Sequence, residues 1–156
     1  IVHRDIKPAN LILSRDGRIM IADFGLAKTT EEESVTMAGS FLGTLRYASP
    51  EQAAAKGLAV DHRSDIYAFG VMTFQLLTGA LPFSGQSVVE VMMKHMREPP
   101  PRASDVCAHV SSAFDAPILA MMAKSPDGRP PSLRGGLDDL ESAAMRARTA
   151  RIISAT

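Results

Sequence analysis

The sequence has little cysteine, no excess of charge of either sign and no long apolar run. One cysteine, Cys107, excludes an intramolecular disulfide and is typical of a reducing compartment. Seventeen basic and seventeen acidic side chains give a formal net charge of zero, so bulk attraction to nucleic acid or a membrane is not expected. No apolar run reaches the roughly eighteen residues of a membrane span. We therefore expect a cytoplasmic segment without membrane contact, any membrane anchor of the parent protein lying outside it.

The chain does contain a group of polar residues near its start, in the runs HRDIKPAN at 3–10 and DFG at 23–25. Phosphoryl transfer requires a positioned acceptor hydroxyl, a cation beside the moving phosphate and metal ions that bridge phosphate oxygens. Asp5 can orient the hydroxyl and take its proton, and Lys7 can place an ammonium beside the γ-phosphate. Asn10 and Asp23 offer the hard oxygen ligands that Mg²⁺ prefers. This set predicts phosphoryl transfer from a nucleotide.

The segment around these residues is typical of a β-hairpin. Two short apolar runs, at 11–13 and 18–22, are separated by the turn-forming sequence SRDG at 14–17. Asn10 then precedes the first strand and Asp23 follows the second. The hairpin would bring both metal ligands to one end.

Downstream, apolar spacing and capping residues predict five helices. Ser49, Pro50 and Gln52 form the start of a short helix that Gly57 would end, and Gly79 would end a second helix that is apolar on almost every face. Three more are predicted at 88–96, 118–122 and 137–144. The predicted fold class is α+β, mainly α-helical, with a small β-hairpin on one face and no internal repeat.

Further motifs follow later in the sequence. Together with the early ones, they occur in an order that resembles that of a known family. The stretch from Gly43 to Glu51 ends in Ser-Pro-Glu, the run SDIYAFG occupies 64–70, and 124–130 carries a late arginine. Together they resemble the C-terminal lobe (C-lobe) of a eukaryotic-type serine/threonine protein kinase, most similar to bacterial members. The resemblance covers residues 1–142, and 143–156 is predicted to be the end of the last helix or a tail.

The resemblance implies roles for the polar residues near the start of the chain. It makes Asp5, Lys7 and Asn10 catalytic residues of a kinase that transfers phosphate from ATP to Ser or Thr hydroxyls of protein substrates. ATP would be bound through Lys7, Asn10, Ile12 and Asp23. Asn10 and Asp23 would hold Mg²⁺, with Mn²⁺ as an alternative. Binding of nucleic acid is not expected.

Other residues receive docking, regulatory or structural roles from the same resemblance. Thr44 lies in the substrate-docking loop, and Arg4 would face a phosphate added to Thr36 or Ser40 in the activation loop. His3 is expected to pack and position backbone. Asp65 is expected to anchor the backbone of His3 and Arg4. Glu51 and Arg129 are expected to form a buried ion pair.

Parts of a kinase are not found in the sequence. The Gly-rich loop, strand lysine and helix glutamate of an N-terminal lobe (N-lobe) are missing, and the chain does not begin with Met. We therefore expect a piece of a longer protein, inactive until the N-lobe of the same polypeptide completes it. One alternative is a non-catalytic C-lobe remnant that binds substrate or partner proteins. Another is a small-molecule phosphotransferase such as an aminoglycoside kinase, which the loop from Gly43 to Glu51 disfavours.

Overall fold

A computed structural model describes residues 2–22, 43, 45–54 and 59–154 of the chain, with side chains as far as residue 152. Within these ranges the fold is mainly helical, with one two-stranded antiparallel sheet, as the sequence predicts. The strands are β1 (Leu11–Leu13) and β2 (Ile19–Ile21). The helices are α1 (Pro50–Ala53), α2 (His62–Thr78), α3 (Val88–Arg97), α4 (Ala103–Val106), α5 (Asp115–Met121) and α6 (Leu133–Ser154). Short 3₁₀ turns occupy Pro8–Asn10, Ser112–Phe114 and Pro126–Gly128.

The hairpin prediction is confirmed, with a second strand shorter than expected. Ile12 pairs with Met20 at the centre of the sheet, and the turn is closed by hydrogen bonds around Ser14. Gly17 has a φ of 81°, a left-handed conformation that glycine adopts without steric cost. Ile12 and Met20 share one face because they lie directly opposite each other, and the alternation of side chains along a strand puts their neighbours on the other face. On the opposite face Leu11 packs against the small core of Ile6, Ala68 and Met72, which fixes the hairpin to α2.

Helix α2 is the centre of the core. Its N-cap is Asp61, whose carboxylate accepts a hydrogen bond from the Arg63 N–H at 2.8 Å, and it ends at Gly79 with a φ of 74°, as predicted. The buried side chains come from several faces of the helix and include Ile66, Tyr67, Val71, Met72 and Phe74. An almost fully apolar helix is expected to be buried on most faces, and this is wrong at Leu76, which is 69% exposed in the last turn.

Helix α1 begins as predicted and ends early. The capping box is present, since Ser49 accepts from the backbone of Gln52 and the Gln52 side chain accepts from the backbone of Ser49. The helix ends at Ala53, because Ala54 has a ψ of 90° and turns the chain out of the helix. The predicted extension is therefore wrong, and Gly57 itself lies outside the described residues.

The remaining helices differ from prediction mainly in their ends. Helix α3 is confirmed, with Ser87 as its N-cap. Helices α5 and α6 both begin earlier than expected, and α6 continues without a break across residue 142, the expected end of the lobe. Helix α4 was not predicted, because four residues are too short for an apolar period. No helix in the described ranges combines the length and apolarity needed to cross a membrane.

Helices α2 and α5 approach each other closely in the core. A Cβ placed on Gly70 would lie 2.8 Å from the Met121 Cβ and 3.0 Å from the Met122 Cγ. Both methionines are fully buried, so neither has free space to move into. Glycine at this position allows the two helices to pack side by side.

We therefore expect Gly70→Ala to lower the free energy of unfolding by roughly 1–3 kcal/mol, measured by urea denaturation. Gly135→Ala in α6 is the matched control, since a Cβ there would meet only the Ser132 Oγ at 3.5 Å. The control should be neutral or stabilising by up to about 1 kcal/mol, because alanine is the better helix former. Equal stability of the two variants would show that the α2–α5 contact has no such requirement.

Candidate active site

The loop that precedes β1 brings three of the predicted catalytic residues together. The Lys7 Nζ lies 2.9 Å from the Asp5 Oδ2, and the Asn10 Nδ2 donates to the same carboxylate oxygen at 3.1 Å and to the Asp5 carbonyl at 2.8 Å. A 3₁₀ turn, Pro8–Asn10, folds the chain back and produces this approach. The side chains of Asp5 and Lys7 are 24% and 21% exposed, so the carboxylate is held in place and still reaches the surface.

Asn10 is suited to act as one ligand of a magnesium ion. Its amide nitrogen donates both hydrogen bonds to Asp5, so the amide oxygen is the atom left to bind a cation. The Asn10 carbonyl accepts a hydrogen bond from the Ala22 N–H at 2.8 Å, which brings the end of β2 beside the loop. Asp23 is the next residue in the sequence. It lies outside the described residues, so its part in metal binding stays a prediction.

His3 makes structural contacts beneath this loop. Its ring is buried, with Nδ1 3.3 Å from the Asp5 N–H and Nε2 3.1 Å from the Ala22 carbonyl. A neutral imidazole with its proton on Nε2 satisfies both partners at once. The ring therefore connects the backbone of Asp5 to the end of β2.

Asp65, in the first turn of α2, holds the same loop from the other side. Its carboxylate accepts hydrogen bonds from the backbone N–H of His3 at 2.7 Å and of Arg4 at 2.8 Å, the contacts expected from the sequence. Arg4 has a φ of 67°, in the left-handed region that side chains with a Cβ seldom occupy. The hydrogen bond from its N–H helps to hold this conformation immediately before Asp5.

A buried ion pair connects α1 to the loop before α6. The guanidinium of Arg129 binds both carboxylate oxygens of Glu51, at 2.7 and 2.8 Å, and the two side chains are 0% and 3% exposed. Ser64 donates to Glu51 at 2.6 Å, and Arg129 also donates to the carbonyls of Arg63, Ala123 and Lys124. Burial alone would raise the pKa of Glu51, but the hydrogen bonds from Arg129 and Ser64 outweigh it and lower the pKa to about 2.

A second buried polar cluster lies between α2 and α3 and was not predicted. The Tyr67 hydroxyl lies 3.0 Å from Nδ1 of the fully buried His95. The Lys124 ammonium donates to the His95 carbonyl at 2.7 Å and lies 4.2 Å from the centre of the Phe83 ring. Burial and then the charge of Lys124 lower the pKa of His95 to about 4, and burial lowers the pKa of Lys124 to about 8. These residues are distant in sequence, so no local pattern indicated their contact.

A second unpredicted contact joins α1 to the loop of predicted catalytic residues at 3–10 (the catalytic loop). The Gln52 Nε2 donates to the carbonyl of Arg4 at 3.0 Å, across 48 positions of sequence. The sequence identified Gln52 only as a capping residue. Its other hydrogen bond could be found only from the three-dimensional approach of the two segments.

The other predicted site residues are described only in part. Ile12 is 50% exposed on the outer face of the hairpin, and the side chain of Arg4 is exposed. Thr36, Ser40 and Thr44 lie outside the described residues, so their regulatory and docking roles stay predictions.

A mainly helical domain with a hairpin, and a loop that presents aspartate, lysine and asparagine together, are typical of the class of phosphoryl-transfer domains. The protein kinase domain family matches residues 1–135, and the chain belongs to this family. It is 43% identical over 131 residues to the serine/threonine-protein kinase PknB of Mycolicibacterium smegmatis, covering 83% of this chain and 21% of that protein.

Further relatives agree. The chain is 44% identical over 132 residues to the serine/threonine-protein kinase PknJ of Mycobacterium tuberculosis, covering 81% of this chain and 22% of the relative. It is 44% identical over 131 residues to a probable serine/threonine-protein kinase of Streptomyces coelicolor, covering 83% of this chain and 19% of the relative. The similarity to bacterial serine/threonine kinases is as the motifs predicted. The chain spans about a fifth of the length of these curated relatives.

The buried ion pair generates a stability prediction. Replacing either Glu51 or Arg129 by alanine leaves a buried charge without its partner, so each variant should lose roughly 3–5 kcal/mol of unfolding free energy. The double variant should lose less than the sum of the two, because the pair interacts directly. Urea denaturation at neutral pH measures all three, and additive losses would contradict a direct interaction.

The same pair should show a pH dependence. With the Glu51 pKa lowered from 4.5 to about 2, the unfolded chain binds more protons than the folded chain between these values. The contribution of Glu51 is therefore complete above pH 4.5 and is lost as the pH falls toward 2. Glu51→Ala should remove this part of the acid sensitivity.

Proposed function

We propose that this chain is the catalytic-lobe part of a serine/threonine protein kinase that transfers the γ-phosphate of ATP to hydroxyls of protein substrates. The observation that carries the proposal is the Asp5 carboxylate, partly exposed and in contact with both Lys7 and Asn10. The family match and the printed names of the relatives support the same activity. The Lys7 side chain fits the serine/threonine branch of the family.

In this proposal each residue of the loop has a separate task. Asp5 accepts a hydrogen bond from the substrate hydroxyl, orients it toward the γ-phosphate and takes its proton as the new oxygen–phosphorus bond forms. Lys7, whose ammonium lies 2.9 Å from that carboxylate, places positive charge beside the transferred phosphate. Asn10 would hold Mg²⁺ through its amide oxygen, and Asp23 would supply the second protein ligand. Magnesium, when bound, offsets the charge on the phosphate oxygens.

The outer face of the hairpin fits the nucleotide site and the N-lobe. Ile12 and Met20 are each 50% exposed on this face, which makes an apolar surface beside the metal ligands. We propose that the adenine lies against Ile12 and that the N-lobe of the same polypeptide covers the nucleotide. About four-fifths of the length of the relatives lies outside the matched region, which leaves ample chain for an N-lobe.

Regulation would act through the same loop. Arg4 directly precedes Asp5 and has an exposed side chain, which can pair with a phosphate on Thr36 or Ser40. Such a pair would fix the activation loop relative to the catalytic aspartate. Thr44 would lie in the docking loop, close to the substrate hydroxyl, and the segment would act in the cytoplasm.

The test is Asp5→Asn in the complete kinase that contains this segment, assayed with radiolabelled ATP, Mg²⁺ and a protein substrate. Loss of the general base should lower the transfer rate by at least about a hundredfold, with little effect on folding. Asp139→Asn, a matched change at an exposed position of α6, should leave transfer unchanged. The 156-residue chain by itself should transfer no phosphate.

Two outcomes would contradict the proposal. A complete protein that folds and transfers no phosphate would be a non-catalytic remnant that binds partner proteins. An active protein in which Asp5→Asn has no effect would place the general base elsewhere.

A further inference from the structure

The backbone of Arg4, directly before Asp5, is held at both of its peptide groups. Asp65 accepts the Arg4 N–H, in the peptide group that joins His3 to Arg4, at 2.8 Å, and Gln52 donates to the Arg4 carbonyl, in the peptide group that joins Arg4 to Asp5, at 3.0 Å. Arg4 itself has the left-handed φ of 67°, a conformation that persists only where the surroundings determine it. Since the carbonyl of Arg4 belongs to the peptide bond that leads into Asp5, a rotation of this peptide would turn the Asp5 side chain away from its place.

The orientation of the Gln52 amide is determined by its own hydrogen bonds. Its Oε1 accepts from the backbone N–H of Ser49 at 3.1 Å, and this contact turns Nε2 toward the Arg4 carbonyl. If the amide were flipped, its nitrogen would face the Ser49 N–H and its oxygen would face the Arg4 carbonyl. Both hydrogen bonds would then be lost. The capping box of α1 therefore directs the Gln52 Nε2 toward the Arg4 carbonyl of the catalytic loop.

We infer that Gln52 is a positioning residue for Asp5, acting through the Arg4 carbonyl. This inference rests on the proposed function, because it requires Asp5 to be the general base. The first two residues of helix α1, Pro50 and Glu51, are the last two of the segment from Gly43 to Glu51 that we propose docks the substrate. Gln52 thus connects the end of the docking segment to the loop that carries the catalytic carboxylate, and a displacement of α1 changes the orientation of Asp5.

One substitution separates the two tasks of this side chain. Glutamate at position 52 keeps an oxygen for the Ser49 N–H and preserves the capping box, in which glutamate serves as well as glutamine. It has no donor for the Arg4 carbonyl, and its second oxygen would face that carbonyl at the present 3.0 Å. Gln52→Glu should therefore retain helix α1 and release the catalytic loop.

The experiment compares the complete wild-type kinase with Gln52→Glu, Asp5→Asn and a stability control in one assay. The control is Ser132→Ala, which removes the hydroxyl that accepts the Gly135 N–H at the start of α6, far from the loop in sequence. For each protein we would measure kcat, KM for ATP, KM for substrate and the melting temperature. Gln52→Glu should lower kcat about tenfold or more, equal to about 1.4 kcal/mol of activation free energy, with both KM values within about twofold of wild type.

The outcomes distinguish a failure of this inference from a failure of the proposed function. A wild-type protein that transfers no phosphate, or an Asp5→Asn variant that is fully active, would overturn the proposed function. If wild type is active and Asp5→Asn is not, two results overturn the role of Gln52 alone. One is an unchanged kcat in Gln52→Glu, and the other is a kcat loss that Ser132→Ala reproduces at the same drop in melting temperature. A kcat loss seen only in Gln52→Glu, at a melting temperature close to wild type, supports it.

Discussion

The first turn of α2 holds the site together through three consecutive residues. Asp65 accepts the backbone N–H groups of His3 and Arg4, Ser64 donates to Glu51, and the carbonyl of Arg63 accepts from Arg129. These contacts join the catalytic loop, α1 and the loop before α6 to one short stretch of backbone. That stretch is itself fixed, because α2 is buried against α5 and the hairpin along most of its length. The geometry around Asp5 therefore depends on the burial of a helix that carries none of the predicted catalytic residues.

Electrostatics explains why the connections are arranged in this way. A buried ion pair is weak evidence for stability, since desolvation offsets much of the attraction between Glu51 and Arg129. Either charge would be buried without a partner if the other moved away, and this is unfavourable. The ion pair therefore holds the two segments that carry the charges in one relative position. The Asp65 contact differs, because a carboxylate that accepts two backbone N–H groups stabilises one conformation of the chain. Together they help to determine where the partly exposed Asp5 carboxylate lies, although Asp65, Glu51 and Arg129 are all distant from it in sequence.

The sequence predicted what depends on local pattern. The hairpin, the capping box of α1, the end of α2 at Gly79 and the position of α3 follow from turn residues, caps and apolar spacing. It failed at helix ends and where the signal is weak: α1 ends before Gly57, Leu76 in the last turn of α2 is exposed, and the short helix α4 carries no periodic signal. The site shows the same division. Asp5, Lys7 and Asn10 could be identified because they lie close together in sequence. The Gln52 contact and the His95 cluster join residues that are distant in sequence, so they could be found only in the three-dimensional structure.

The most direct test of this account is hydrogen exchange at the backbone amides of His3 and Arg4 in the complete kinase. Although the Arg4 side chain is exposed, its N–H is bound by Asp65, so we predict exchange at least about a hundredfold slower than in an unstructured peptide. In an Asp65→Ala variant that protection should disappear at His3 and Arg4 while the amides of Ile66 to Phe74 stay protected. Rapid exchange at Arg4 in the wild-type protein, or protection unchanged by Asp65→Ala, would contradict the claim that the first turn of α2 holds the catalytic loop.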